Sequence, residues 1–512
     1  MPGERYDAIV VGSGATGGWA AKDLAEAGLR IALVEAGPLI CGEGKVPPAR
    51  GAPERQLVQA NCFAFNEATA PFFVDDVDNP YSHPPEKPFE WIRSRQVGGR
   101  MPLWGRVCLR VSDHELKAAS RDGIGENWPI SYADLEPHYT RVERFLGVCG
   151  SPEGLLSVPD GAFLEPLPLS YGELAFRRAV EERWPTRRVI PARIASASPE
   201  AAVLAAMRTR RLSLYADAVV ARVLLEPGGG QARGVAYVER ESGREAELEA
   251  DAVFLCASTI ESTRLLLNSA ADEHPDGLGN SSGVLGRYLM DHTYGIGIDG
   301  LAAPSPRGSE DRYSHGCYVP SFRDVTEQGA GFARGYGIEL KINPTEHSAL
   351  MRLRNRGRLY GGFFYIGAFG EVLPNPDNRV TIDPDTVDAW GIPVAHIDCA
   401  YGENERTMAA DQLESLLAIA QAAGLDVHEV HAELAPPGLS VHEMGTARMG
   451  ADPESSVLDP DNRVWDVPNV IVTDGSCFVS SGFQNPTLTM MAITARACER
   501  FLERRRRGEG SD

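Results

Sequence analysis

Apolar and polar positions change period several times along the chain. Four apolar residues, Ala8 to Val11, run into glycines; Trp19 to Ala27 has the composition of a helix, and Arg30 to Val34 is again apolar before closing on Glu35. Strand, turn, helix and strand in that order predict a βαβ unit. From Leu39 to Glu90 the period fades and prolines accumulate (Pro47, Pro48, Pro53, Pro71, Pro80, Pro84, Pro85, Pro88), which predicts an irregular covering segment over 39–90. Helices are expected over 131–148, 174–184 and 199–207. β-Branched runs at Ala218 to Leu225, Gly234 to Arg240 and Ala252 to Cys256 predict sheet returning to the first domain, with a helix from Ser258 to Asn268. Residues 303–335, rich in Gly, Ser, Pro and Arg, are expected to form a mobile loop. Beyond them, Gly335 to Ile342, Tyr360 to Phe369 and Arg379 to Ile382 predict antiparallel strands of a second domain, followed by a helix over 404–424. The chain closes on a strand at Val470 to Asp474 and a long helix from Asn485 to Glu503, with Arg504 to Arg507 as its solvated end.

With 512 residues the chain is long enough for two or more packed units. Its 71 acidic against 50 basic residues give a net charge of -21, which repels a phosphate backbone and argues against nucleic acid as a partner. The same acidity suits neutral or cationic substrates, or serves solubility alone. Nine scattered cysteines with no C-x-x-C pair suggest neither a disulfide framework nor a zinc site, and no His/Asp/Glu spacing makes a metal site. The N-terminus lacks a cationic leader, and no run of roughly 18 apolar residues is present to cross a membrane, so a soluble, cytoplasmic protein is expected.

Chemistry enters first at Gly12-Ser13-Gly14-Ala15-Thr16-Gly17, which has the G-x-G-x-x-G spacing after a strand and at the opening of a helix. There, backbone N–H groups and the helix dipole can face a pyrophosphate. Glu35 ends the second strand about 20 residues further on, where an acid accepts hydrogen bonds from a ribose and disfavours a 2'-phosphate. The motif alone leaves FAD and NAD open, since both use this cradle. A Gly-x-Ser-x-Gly elbow, the nucleophile motif of a serine hydrolase, is not found.

The C-terminal runs His442 to Gly450 (HEMGTARMG) and Asn469 to Ala497 (NVIVTDGSCFVSSGFQNPTLTMMAITARA) resemble the closing signature of the glucose-methanol-choline flavin oxidoreductases. Arg93-x-x-x-x-Gly98-Gly99 with Trp104-Gly105, the stretch Trp128 to Tyr139 and LGNSSGVLGRYLMDH (Leu278 to His292) are similar to the same family in the same order. NPDNRVTIDP (Asn375 to Pro384) and the QNPTLT run resemble the branch that contains pyranose oxidases and bacterial glycoside 3-oxidases. The resemblance implies an α/β fold in which a Rossmann-like FAD-binding domain (1–38, 91–113, 205–300 and 440–512) is interleaved with a substrate domain that contains a mostly antiparallel sheet (301–439, with contributions from 114–204).

It also implies the chemistry. Oxidising an alcohol removes a proton from oxygen and a hydride from carbon, so a base must stand by the hydroxyl while flavin N5 faces the C–H bond. His442 matches the family's catalytic histidine and Asn485 the second member of its pair. Asp474 and Gly475 match positions at the ribityl chain, with Asn485 and Thr487 beside them; Arg93 is placed near the diphosphate or ribose, the Val220 backbone at adenine, Met101 and Trp104 at the flavin, and Gly99 is also counted among the cofactor-binding positions. Some pyranose oxidases attach FAD through a histidine just before this Trp; here that position is Leu103, so dissociable, noncovalent FAD is expected. The implied reaction oxidises a secondary ring hydroxyl of a sugar or glycoside, with C3 the favoured position, to a ketone, and O2 or another acceptor reoxidises the flavin. An aliphatic alcohol or aminosugar is the alternative substrate, and a flavin-carrying electron-transfer subunit the rival of another class. His292, in the family-like MDH, is given no specific role, His114, His315, His347, His396 and His431 are expected to be structural or on the surface, and the oligomeric state is not legible.

Overall fold

The computed structural model describes residues 5–39, 53–302, 314–328, 330–343 and 362–508. Ala8–Val11 and Ile31–Val34 are buried at every position, as strands covered on both faces must be. They lie at the centre of a five-stranded parallel sheet in the order Val470–Val472, Val253–Leu255, Ala8–Val11, Ile31–Val34, Leu212–Tyr215. The first crossover is the helix Ala15–Glu26, whose fully buried Trp19 meets Phe145 edge-on at 5.3 Å between ring centroids. That helix begins at Ala15 rather than Trp19: Gly17 and Gly18 belong to it, because close packing against the strand outweighs their weak helix propensity.

Only part of the expected returning sheet joins these strands. Leu212–Tyr215 and Val253–Leu255 do, whereas Ala218–Leu225 and Ala232–Glu239 form a separate antiparallel sheet with Glu245–Glu249. A third sheet of seven strands is antiparallel throughout. Asp426–His431, Gly297–Ala302, Gly362–Glu371, Tyr336–Asn343, Cys317–Val319 and Ile190–Pro191 follow one another in it, and His292–Thr293 pairs beside them with Gly362–Glu371. The helix Glu403–Ala422 covers this sheet, burying Met408, Leu416 and Ile419. The result is an α/β fold that combines a Rossmann-like unit with a mostly antiparallel sheet.

Ser131 and Ser170 start the helices Tyr132–Leu146 and Tyr171–Arg183 with reciprocal capping boxes to Asp134 and Glu173, the start signal that the sequence carries. Of the irregular segment 39–90, residues 40–52 lie outside the described residues, and 53–90 holds three short 3-10 turns. Of the expected loop 303–335, residues 303–313 and 329 lie outside the described residues. The part that is described includes Cys317–Val319, a buried strand rather than a loop.

Candidate active site

Where the parallel sheet meets the antiparallel one, the protein encloses a cavity of about 770 Å³. Its first wall is the glycine motif. Gly12 has φ +88°, and a Cβ there would meet the Cys256 carbonyl oxygen at 2.4 Å, so this turn admits only glycine. The helix that follows starts without a capping side chain and without an acid in its first turn, leaving its N–H groups for an anion. Gly14 faces Gly99 across the cavity wall, backbone to backbone, and a Cβ on Gly99 would come within 2.9 Å of the Gly14 Cα. Glu35 is buried and accepts hydrogen bonds from Ser13 N (3.0 Å), Ser13 Oγ (2.6 Å) and Gly37 N (2.9 Å), while burial raises its pKa. A ligand with a diphosphate and a ribose fits this cradle in shape and in donor set.

The cavity wall includes Gly12, Ser13, Gly14, Thr16, Glu35, Arg93, Gly99, Met101, Trp104, Val220, His442, Asp474, Gly475, Asn485 and Thr487. Gly17, predicted with them, stands outside it. A Cβ at Gly17 would lie 1.8 Å from the Gly12 carbonyl oxygen, so its task is to let the helix approach the strand. The Arg93 guanidinium stacks 4.2 Å from the centroid of Trp91 and donates to the Asn79 carbonyl at 2.6 Å. Asp474 is buried and accepts from Ser262 Oγ and from Ser476 Oγ (2.5 Å) and N (3.0 Å).

His442 and Asn485, 43 residues apart in sequence, meet on this wall with Asn485 Nδ2 at 3.4 Å from His442 Nε2. The turn carrying His442 is held by one carboxylate. Asp291 accepts from Gly438 N (2.7 Å), Ser440 Oγ and His442 N (3.2 Å), and its pKa is pushed up to about 6 by burial and by Glu443. Val441, immediately before His442, has φ +59°, a strained value for a β-branched residue. Glu443 is buried and takes a two-pronged bond from Arg100 at 2.8 and 3.3 Å. Burial, the His292 ring and Arg100 push the His442 pKa well below the ordinary range, so the imidazole is neutral.

The residue that sequence reading missed is His292. Given no role by the sequence, it places Nδ1 at 3.0 Å from His442 Nδ1, with the two rings nearly perpendicular at 76°. The available signal was its motif, MDH, at the end of a family-like stretch; the partner 150 residues away is visible only in the fold.

The antiparallel sheet and its flanking segments contribute Tyr294, His315, Glu339, Lys341, Tyr365 and Phe369 to the cavity. Burial raises the pKa of Glu339, against the opposing pull of Tyr318 and Lys341. Aromatic faces beside charged and hydroxyl groups form a wall suited to a polyhydroxylated ligand. Among the described residues, no helix is long and apolar enough to cross a membrane.

A dinucleotide cradle that opens onto a half-buried, neutral histidine is an arrangement suited to an oxidoreductase. Family models for GMC oxidoreductases match residues 191–294 and 374–494. Both the N- and C-terminal GMC oxidoreductase domains are thus matched in the chain, which is an FAD-dependent alcohol oxidoreductase. It is 29% identical to 2-methyl-1,2-propanediol dehydrogenase from Mycolicibacterium austroafricanum, over 98% of this chain and 96% of that one. It is 25% identical to C-glycoside 3-oxidase from Arthrobacter globiformis, over 98% and 97%. Among solved structures, pyridoxine 4-oxidase from Mesorbium loti shares the fold with a TM-score of 0.65 at 20% identity, covering 97% of this chain and 99% of that one.

Proposed function

We propose that the protein oxidises a secondary ring hydroxyl of a sugar or glycoside, with C3 the favoured position, and that His442 is the base. The observation carrying this reading is the His442–Asn485 contact of 3.4 Å on the wall of a cavity that runs from the glycine cradle to a polar and aromatic chamber. Noncovalent FAD, when bound, supplies the two-electron acceptor for the hydride that leaves the carbinol carbon. Gly12, Ser13, Gly14 and Thr16 would receive its diphosphate, Glu35 a ribose, Asp474, Gly475 and Thr487 its ribityl end, and Met101 and Trp104 would stand beside the ring. His442 Nε2 takes the hydroxyl proton, and Asn485 holds the alcohol oxygen in line. Leu103, on the cavity wall, offers no nucleophile for a covalent link, which supports dissociable cofactor. The segments lining the cradle support an FAD-binding unit of 1–38, 91–113, 205–300 and 440–512, with 301–439 and parts of 114–204 forming the substrate unit. The glycoside oxidase among the relatives supports the substrate class, and the propanediol dehydrogenase marks the alternative of an aliphatic alcohol.

The test is anaerobic absorbance titration of the yellow protein with glucose, O-glucosides, C-glucosides and an aliphatic diol. Bleaching by glycosides at rates above the diol is expected, and colour returning on admission of air identifies O2 as an acceptor. Bleaching by the diol alone sinks the sugar reading. His442→Ala should keep its flavin and lose bleaching by about 100-fold or more; unchanged bleaching removes His442 from the base role.

A further inference from the structure

Two neutral imidazoles that share a hydrogen bond hold one proton between them, and which ring owns it decides what the other nitrogens can do. If His442 Nδ1 donates to His292 Nδ1, then Nε2 of His442 carries a lone pair into the cavity. If His292 donates instead, the lone pair of His442 is spent inside the protein and Nε2 bears a proton, useless for accepting one from an alcohol. Burial pushes the His292 pKa down to about 4, and the His442 pKa is also far below its ordinary value, so a proton on both rings at once is disfavoured.

A contact on the cavity side selects between the tautomers: the amide nitrogen Nδ2 of Asn485 approaches His442 Nε2 at 3.4 Å, and an N–H donor there requires a lone pair on that nitrogen. The His442 proton then sits on Nδ1, 3.0 Å from His292 Nδ1, which accepts it, and neutral His292 carries its own proton on Nε2. The surroundings of His292 are compatible with this: the ring is fully buried, and the backbone of Ser481 and Gly482 beside it favours a proton on the ring. The segments that carry the two rings are tied to each other. His292 lies in the strand pair with Gly362–Glu371, and its neighbours Met290 and Asp291 bond to the His442 turn through Met444 and through Gly438, Ser440 and His442.

We propose that His292 is a positioning residue that fixes His442 as the Nδ1–H tautomer and so keeps Nε2 of His442 free to accept the substrate proton. This rests on the assignment of His442 as the base. His292 does not line the cavity and acts only through the shared proton. A neutral acceptor also differs from a carboxylate in the same place, because it orients the base without adding a charge that would raise its pKa.

The tautomer is read directly on the unsubstituted holoenzyme by 15N NMR of histidine-labelled protein at neutral pH, with the His442 resonances identified by their loss in His442→Gln. The expected spectrum shows His442 protonated at Nδ1 and bare at Nε2; a proton on Nε2 overturns the proposal. In anaerobic stopped-flow, His292→Leu, close to the original volume, should bleach its flavin at least about tenfold more slowly, with KM within about twofold of the parent. His292→Asn, whose side-chain oxygen can accept where Nδ1 does, should recover to within about threefold of the parent rate. A His292→Leu protein as fast as the parent, or a His292→Asn protein no faster than His292→Leu, sinks the inference, and the NMR result decides if His292→Leu fails to hold flavin. Full turnover in His442→Ala would instead sink the base assignment, which keeps the two failures apart.

Discussion

Gly14 and Gly17 belong to one motif and do different work. A Cβ on Gly14 would find its nearest neighbour at 3.9 Å, an ordinary contact, whereas one on Gly17 would strike the Gly12 carbonyl oxygen at 1.8 Å. Gly14→Ala should therefore leave the melting temperature of the flavin-free protein within about a degree of the parent while weakening FAD binding, since the methyl group fills space that a diphosphate needs. Gly17→Ala should cost about 2 kcal/mol of stability, because helix and strand must separate to admit it. Thermal melts with and without FAD distinguish them, and equal melting of the two flavin-free variants would refute the assignment. The cradle was legible because its motif is local: strand, glycines, helix and Glu35 lie within one short stretch. His292 was not, because a histidine gains meaning only from the partner that the fold brings to it, and that partner is 150 residues away.

Among elements, the buried pair of Arg110 and Glu143 ties the segment after Trp104 to the helix Tyr132–Leu146. Arg110 reaches both Glu143 oxygens, at 2.8 and 2.5 Å, and the Tyr132 hydroxyl at 2.8 Å, while Glu143 also accepts from Ala162 N at 2.7 Å. Both side chains are nearly inaccessible, at 3% and 0% exposure. Arg110→Met should cost about 3–5 kcal/mol in chemical denaturation by stranding a buried carboxylate, and adding Glu143→Leu should recover much of that loss. Parental stability in Arg110→Met would show that the carboxylate is relieved some other way. Element prediction worked best where the local pattern and the final environment agree, as in Ala218–Leu225, which is β-branched and appears where expected. It failed on Glu245–Glu249 and Asp426–His431, strands that carry acidic and exposed positions, and on Gly297–Ala302, which holds two glycines. These are strands because a neighbour supplies the ladder; their own residues do not ask for it.

Over the whole molecule, the cavity wall proposed to hold the cofactor gathers residues from 11–36, 92–107, 218–221, 256–268, 440–442 and 474–490. A ligand that touches all of them holds the chain together by mass action. Stripping the flavin should lower the melting temperature, and restoring free FAD to 100 times its Kd should return about 2.7 kcal/mol of stability. Denatured holoprotein should release all of its yellow chromophore. Colour that stays with the precipitated chain, or melting insensitive to added FAD, would contradict dissociable binding. The parallel sheet has one further consequence, set by its strand order. Val253–Leu255 adds directly to Ala8–Val11, and Val470–Val472 adds to Val253–Leu255, so neighbours in space are remote in the chain. At the roughly 5–20 residues per second of ribosomal synthesis, the first strand waits about half a minute to a minute and a half for the last. During that interval the glycine turn has no completed sheet behind it and its apolar strand has an open edge. The strand order thus leaves the completion of this sheet to the last part of the chain to be made.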